Sequence, residues 1–244
     1  ALDSKKPTAA DNRPVLRQAI AEAKALDEQV KMLEKDLAAS EQTEDLDAWR
    51  QLVKAFSNDF GLVGGTAIAL HIGHRESVDF DLFSLEEFDN VNILKKIRRA
   101  KKLTQVIRDE TGQFTLTIGK VKFTFFHYPF KPIYKIVNTN SLSIFDWRDI
   151  AADKAYTLGR RPIYRDYVDL FFIIKKGRSL ENIILGAERK FQGLFSEKLF
   201  LGQLIYFQDL QNFKIEFLQK EYTPGEIKLF FEKIVGKYTL KAMK

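Results

Sequence analysis

A chain of 244 residues, 45% of them apolar, can bury the core of one large domain or two small ones, and its lack of cysteine excludes disulfides, thiol nucleophiles and Cys-based zinc sites. No stretch approaches the about 20 continuous apolar residues of a membrane span, and no basic-then-apolar leader is visible at the N-terminus, which implies a soluble cytoplasmic protein. The formal charge of +6 is uneven: residues 1–45 hold 7 Lys+Arg against 10 Asp+Glu, so the remaining chain carries +9 and suits the phosphates of a nucleotide or a nucleic acid.

Residues 1–12, with Pro7, small residues and charges, read as an unstructured arm. From Pro14 to Ala39 the spacing predicts a helix. Leu16, Ala23, Val30 and Leu37 recur every seven residues and Ile20, Leu26 and Leu33 widen the stripe, but Asp27 and Glu34 interrupt a second seam. This favours a helix packed on its own body or a partner over a long coiled coil. The segment is Ala-rich where the rest is rich in Phe, Ile and Lys, as an appended piece would be.

A short helix is expected over Asp47–Phe56, then an apolar strand, Phe60-Gly61-Leu62-Val63, ending in Gly64-Gly65. Thr66–Ile72 reads as a buried helix, and Ser77–Phe83 alternates with period two as a strand. Residues 86–102 form an amphipathic helix with a basic end that includes Lys95, Arg99, Lys101 and Lys102. A hairpin follows: Phe114, Leu116 and Ile118 alternate with polar residues, as do Val121, Phe123 and Phe125, and Gly119-Lys120 fits a two-residue turn. The expected register sets Ile118 against Val121, Leu116 against Phe123 and Phe114 against Phe125. Beyond Asn140 the pattern is helical, over Ile144–Leu158, Arg165–Lys175, Ser179–Phe191 and Ser196–Phe207. A last helix opens on the capping box Thr223-Pro224-Gly225-Glu226. The reading is an α/β (α+β) protein: an N-terminal arm and helix over 1–45, a mixed-sheet core over 46–140 and a helical region over 141–244.

Asp79 and Asp81 lie two apart on one strand, so they share a face with Cα atoms roughly 6.5 Å apart, while Val78, Phe80 and Leu82 point the other way. Two carboxylates so close repel unless a cation lies between them, and Mg²⁺ accepts such oxygens while keeping positions for phosphate. A lone Asp-x-Asp is commonly incidental. Here Gly64-Gly65-Thr66 stands upstream, where a strand turns into a helix. The glycines permit close backbone approach, the helix N-terminus favours anions, and Thr66 adds a hydroxyl donor. Together these describe a triphosphate–Mg²⁺ site. His71 and His74 are three apart, but with three histidines and no cysteine the chain lacks the ligands of a closed zinc site; His74-Arg75 is expected to order the loop or touch phosphate.

The run from Leu62 to Ser84, containing Gly64-Gly65-Thr66 and Asp79-Phe80-Asp81, resembles the signature of the AbiEii/AbiGii toxin family of polymerase-β-like nucleotidyltransferases. Asp149–Tyr156, Gly159-Arg160-Arg161 and Arg165–Leu170 resemble its downstream Lys and Asp-x-x-Asp-Leu motifs, so the likeness spans about residues 47–180. The resemblance implies that Gly64, Gly65 and Thr66 hold nucleotide phosphates, that Asp79 and Asp81 bind Mg²⁺ or Mn²⁺, and that Lys154 reaches the triphosphate of an NTP substrate. It makes Asp166 an essential acid on the helical half, with Asp169 beside it; Asp169 and, from its place before the strand, Arg75 are the candidate supporting residues. It also implies the toxin half of a toxin–antitoxin pair with a cognate antitoxin, and an RNA acceptor such as a tRNA 3′ end. Lys101, Lys102, Arg160 and Arg161 are the candidate RNA-binding residues. One departure stands out. Many such enzymes carry a third carboxylate on a neighbouring strand, where this chain has Thr124. Two rival readings remain: nucleotidylation of a protein or small molecule, and a catalytically silent nucleotide- or RNA-binding module.

Overall fold

The structure, a computed structural model, describes residues 52–77, 79–100 and 105–242. The helix expected over Pro14–Ala39, Val78, and the basic pair Lys101 and Lys102 lie outside the described residues.

A helical segment over 52–56 leads into β1 (Gly61–Val63), which passes directly into α1 (Gly64–Ile72) and returns as β2 (Phe80–Ser84). Then come α2 (Asn90–Ala100), β3 (Gln105–Glu110), β4 (Gln113–Ile118) and β5 (Val121–His127). A two-residue β6 (Ser143–Ile144) closes a mixed sheet of order β3-β4-β5-β2-β1-β6. β2 runs antiparallel to β1 and parallel to β5.

The hairpin adopts the expected register, with Ile118 opposite Val121, Leu116 opposite Phe123 and Phe114 opposite Phe125. Gly119 takes φ +60° at its turn, a value that costs glycine little. Phe123 and Phe125 are buried on one sheet face, where Phe80 stacks on Phe123 at 4.9 Å and the Phe56 and Phe60 rings reach Phe125 at 4.8 and 5.2 Å. Each such phenylalanine contributes about 1.5–3 kcal/mol by leaving water. Ile93 and Ile97 of α2 belong to the same core.

Two strands exceed what alternation could foretell. β3 is exposed along its whole length and bulges between Val106 and Arg108, so no apolar face marks it. β6 is too short for a period. Its parallel pairing with β1 moves the start of the next helix from Ile144 to Trp147, where the Asp146 side chain accepts from Arg148 N.

The helical half comprises α3 (Trp147–Leu158), α4 (Tyr164–Lys175), α5 (Leu180–Phe191), α6 (Glu197–Ile205) and α7 (Pro224–Ala242). Ser179 and Ser196 cap α5 and α6, and Thr223 and Glu226 make the expected reciprocal box before α7: Thr223 N donates to Glu226 Oε2 at 2.7 Å and Glu226 N donates to Thr223 Oγ1 at 3.2 Å. A buried lysine binds α5 to α3: Lys190 Nζ lies 2.7 Å from Asp153 and 3.2 Å from Asp149. Asp149 also accepts from the amides of Ile133 and Tyr134, which ties the loop after β5 to the same helix. Among the described residues no helix is long and apolar enough to cross a membrane.

Candidate active site

β1 is three residues long, so its ladder with β2 ends at the pair Val63–Asp81 and the chain turns at once into α1. Asp79 therefore has no strand partner on that side, and β2 begins one residue after it instead of at Ser77. The carbonyl of Asp79 is taken by the buried Thr66 hydroxyl, which also lies 3.0 Å from Ser77 Oγ. Thr66 thus straps the loop before β2 onto α1, a use of its hydroxyl other than the expected phosphate contact.

The two glycines of the turn lie beneath functional side chains. Gly64 has φ +71°, and a Cβ there would stand 2.4 Å from Asp81 Oδ2. A Cβ on Gly65 would stand 2.5 Å from Arg75 Nη2. Both positions are closed to larger residues by the site itself. Val63, the residue ahead of α1, offers no side-chain cap, so the first-turn amides of α1 are left without one beside the carboxylates.

On β5, Thr124 pairs in register with Asp81, so the position expected for a third acid is the one adjoining the acid pair. Lys122, two residues earlier on the same face, places Nζ 3.2 Å from Asp79 Oδ2. Burial raises the pKa of Asp81, and the charges of Lys154, Lys122 and Arg161 act against that rise while Asp79 adds to it. Asp81 therefore faces residues from both halves of the chain.

Behind it lies a buried ionic cluster. Arg75, from the loop between α1 and β2, donates from Nε to Asp169 Oδ1 at 2.7 Å and from Nη2 to Oδ2 at 3.0 Å, a bidentate pair across 94 residues of sequence. His74 Nε2 lies 2.8 Å from the same carboxylate. Lys154 Nζ is 2.7 Å from Asp169 Oδ2 and bonds Asp166 Oδ1. Burial disfavours the Lys154 ammonium, but Asp166 and Asp169 outweigh it and its pKa rises; burial likewise opposes the Asp169 carboxylate, yet Arg75 and Lys154 hold it well below the carboxylate range. Asp166 Oδ2 is buried without a hydrogen-bond partner.

Residues 47–138 match the family described as the AbiEii nucleotidyl transferase toxin of a type IV toxin–antitoxin system. An uncharacterized protein of Aquifex aeolicus, aq_aa25, is 31% identical over 187 residues, which covers 74% of this chain and 88% of that protein. The chain belongs to the AbiEii nucleotidyltransferase toxin family. Its fold is also that of MenT4, a nucleotidyltransferase toxin of Mycobacterium tuberculosis H37Rv, with a TM-score of 0.53 at 14% identity over 94% of this chain and 89% of the other. As an AbiEii member it is a nucleotidyltransferase.

The family match ends before Lys154, Asp166 and Asp169, which the fold nevertheless carries to the back of Asp81. Arg161 is exposed and close enough for Asp81 to feel its charge. Arg160 is otherwise engaged. Its guanidinium lies 3.6 Å above the Tyr156 ring and donates to the carbonyls of Tyr156 and Leu194. The basic residues of α2 do not flank the acid pair either. Lys95, Lys96 and Arg99 line a separate groove of about 810 Å³ at the C-terminal end of β2, and Lys96 pairs with Asp59 at 2.6 Å. α2 lies against Phe56, whose ring meets Phe125, and so on the Phe123–Phe125 side of the sheet, whereas Asp81 and Thr124 alternate to the other face, and sequence order alone could not show this. His71 and His74 go to separate partners, the Phe145 carbonyl and Asp169.

Sequence reasoning passed over Lys122. The alternation that pointed to Thr124 also put Lys122 on its face, so the signal was present. Among the described residues no three His, Cys, Asp or Glu side chains converge as a metal site. The hard donors present are the carboxylates of Asp79 and Asp81, oxygen ligands of the kind Mg²⁺ or Mn²⁺ takes, and the Lys122 ammonium rests on the first of them.

Proposed function

We propose that the chain transfers a nucleoside monophosphate from an NTP to the 3′ end of an RNA, such as a tRNA, in the cytoplasm, and that a cognate antitoxin restrains it. The observation that carries the reading is the partly buried Asp81 carboxylate resting on Gly64, beside the uncapped start of α1 and facing Lys154. Asp79 and Asp81 would hold Mg²⁺ or Mn²⁺, which supplies Lewis acidity at the reacting phosphate when bound. The α1 amides and Gly64-Gly65 receive phosphate oxygens. The acceptor hydroxyl attacks the α-phosphorus, an O–P bond forms, the α–β phosphoanhydride breaks, and the hydroxyl proton passes to a carboxylate of the cleft. Lys154 counters the charge that gathers on departing pyrophosphate.

Support for an RNA acceptor comes from the +9 charge of residues 46–244 and from Arg161 beside Asp81. The test incubates the protein with each radiolabelled NTP, Mg²⁺ and total RNA. Label on RNA that requires both Asp79 and Asp81 is the expected result. Label on protein or a small molecule instead would replace the RNA acceptor, and no label with any NTP would refute the reading.

A further inference from the structure

Two lysines of different character act on the acid pair. Lys154 is buried and bound by both Asp166 and Asp169, so its ammonium is fixed in place. Lys122 has a side chain 44% exposed and touches one carboxylate, Asp79, at 3.2 Å, while its backbone amide lies 3.4 Å from the other oxygen of that carboxylate. Its ammonium thus occupies an Asp79 oxygen that a cation held by the acid pair would need, on a flexible stem that can swing away. Thr124, beside Asp81, supplies no charge to hold a further cation.

We propose that Lys122 exchanges Asp79 for a phosphate oxygen of the nucleotide when a divalent cation enters between Asp79 and Asp81, and so provides the second positive centre that a third carboxylate would otherwise recruit as metal. The inference rests on the nucleotidyl-transfer reading. It differs from a purely neutralising role for Lys122 in sign. A lysine that competes with the cation weakens metal binding in the free protein, yet strengthens catalysis once it has moved onto phosphate. Its removal therefore changes the two in opposite directions.

The test titrates Mn²⁺ into the nucleotide-free protein, following the free-ion EPR signal, for wild type, Lys122→Met, Lys122→Gln, Lys122→Arg and Asp81→Asn, and measures kcat and NTP KM on the same preparations. Lys122→Met and Lys122→Gln are expected to bind Mn²⁺ roughly threefold or more tighter, because a like charge is removed, and to lose about 10- to 100-fold in kcat, because a cation on the phosphate is lost. Lys122→Arg, which keeps the charge, restores most of kcat and the weaker Mn²⁺ affinity. Unchanged or weaker Mn²⁺ binding in the neutral variants, or full kcat in them, overturns the proposal. Absence of Mn²⁺ binding in wild type and in both neutral variants alike, or binding in all of them no better than in Asp81→Asn, would instead bring down the metal-site reading beneath it, so the two failures are distinct.

Discussion

The replacement Asp169→Asn tests the buried ionic cluster most directly. Asp169 is fully buried and accepts from Arg75 twice and from His74, with Lys154 2.7 Å away. The amide keeps the shape and removes the charge, leaving one buried carboxylate, Asp166, against two buried cations. Breaking a buried ion pair from one side costs about 3–5 kcal/mol, far above the at most ~1 kcal/mol of a surface pair. The pH dependence has a definite sign. The Asp169 carboxyl is held well below its ordinary value near 4, so its contribution is complete above about pH 4 and is lost as pH falls through the lower folded-state value. Urea unfolding of wild type and Asp169→Asn, followed by circular dichroism, should show the full deficit at pH 7. The gap should narrow in acid below about pH 4. A loss under about 1 kcal/mol at pH 7, or a gap constant down to the acid limit of the fold, would refute the account.

Asp81→Asn should abolish transfer while leaving the unfolding free energy at pH 7 no lower than about 1 kcal/mol below wild type, because a carboxylate whose pKa is raised in the fold costs stability once ionised; near-normal turnover with Mg²⁺ present would remove it from the site. Gly64→Ala forces an L-residue to φ +71° and drives a Cβ into Asp81, so it should cost roughly 1–2 kcal/mol in stability and more than about tenfold in kcat, read by unfolding and labelling on one preparation. The adjacent arginines should separate. Arg161→Ala weakens binding of all RNAs alike and lowers the log–log salt slope by about one in filter binding, whereas Arg160→Ala leaves the slope unchanged and costs about 1 kcal/mol of stability through its lost Tyr156 and Leu194 contacts.

What the sequence disclosed follows from how each feature is encoded. The hairpin was legible down to its register because one face is fully buried, and a slip of one residue would bring Phe114, Leu116, Phe123 and Phe125 to the surface. The cap at Thr223 was legible because capping is local chemistry, and the helices expected from Ser179 and Ser196 start on those residues, which serve as their caps. β3 was not, since an edge strand exposed on both faces carries no pattern. The site divides in the same way. Asp79 and Asp81 declare themselves by spacing, but the commitment of Thr66 to Asp79, of Arg160 to Tyr156 and of α2 to the far face depends on tertiary placement.

That placement also gives the glycine pair a second reason. From sequence, Gly64-Gly65 is an opening for phosphate. In the fold, Gly64 is where Asp81 rests and Gly65 is where Arg75 passes on its way to Asp169. Arg75, itself in the loop between α1 and β2 of the sheet half, is tied to the helical half twice, by its backbone bridge to Phe217 and by its bidentate pair with Asp169 of α4. The residue that forbids a side chain at Gly65 is thus the one that sets α4 and its Asp166 against the acid pair. Lys154, bonded to Asp166 and Asp169 and felt by Asp81, completes the link. The polar site is therefore shared between β2 and the helices α3 and α4, and a change at Gly65 acts on both. Alanine there must displace Arg75, and because the same guanidinium secures Asp169, it should reproduce part of the Asp169→Asn deficit. The double variant should then lose less than the sum of the two single losses, as expected of residues in one network. Strict additivity in the unfolding cycle would mean that Arg75 moves aside without loosening Asp169, and Gly65 would then have no part in setting α4 against the acid pair.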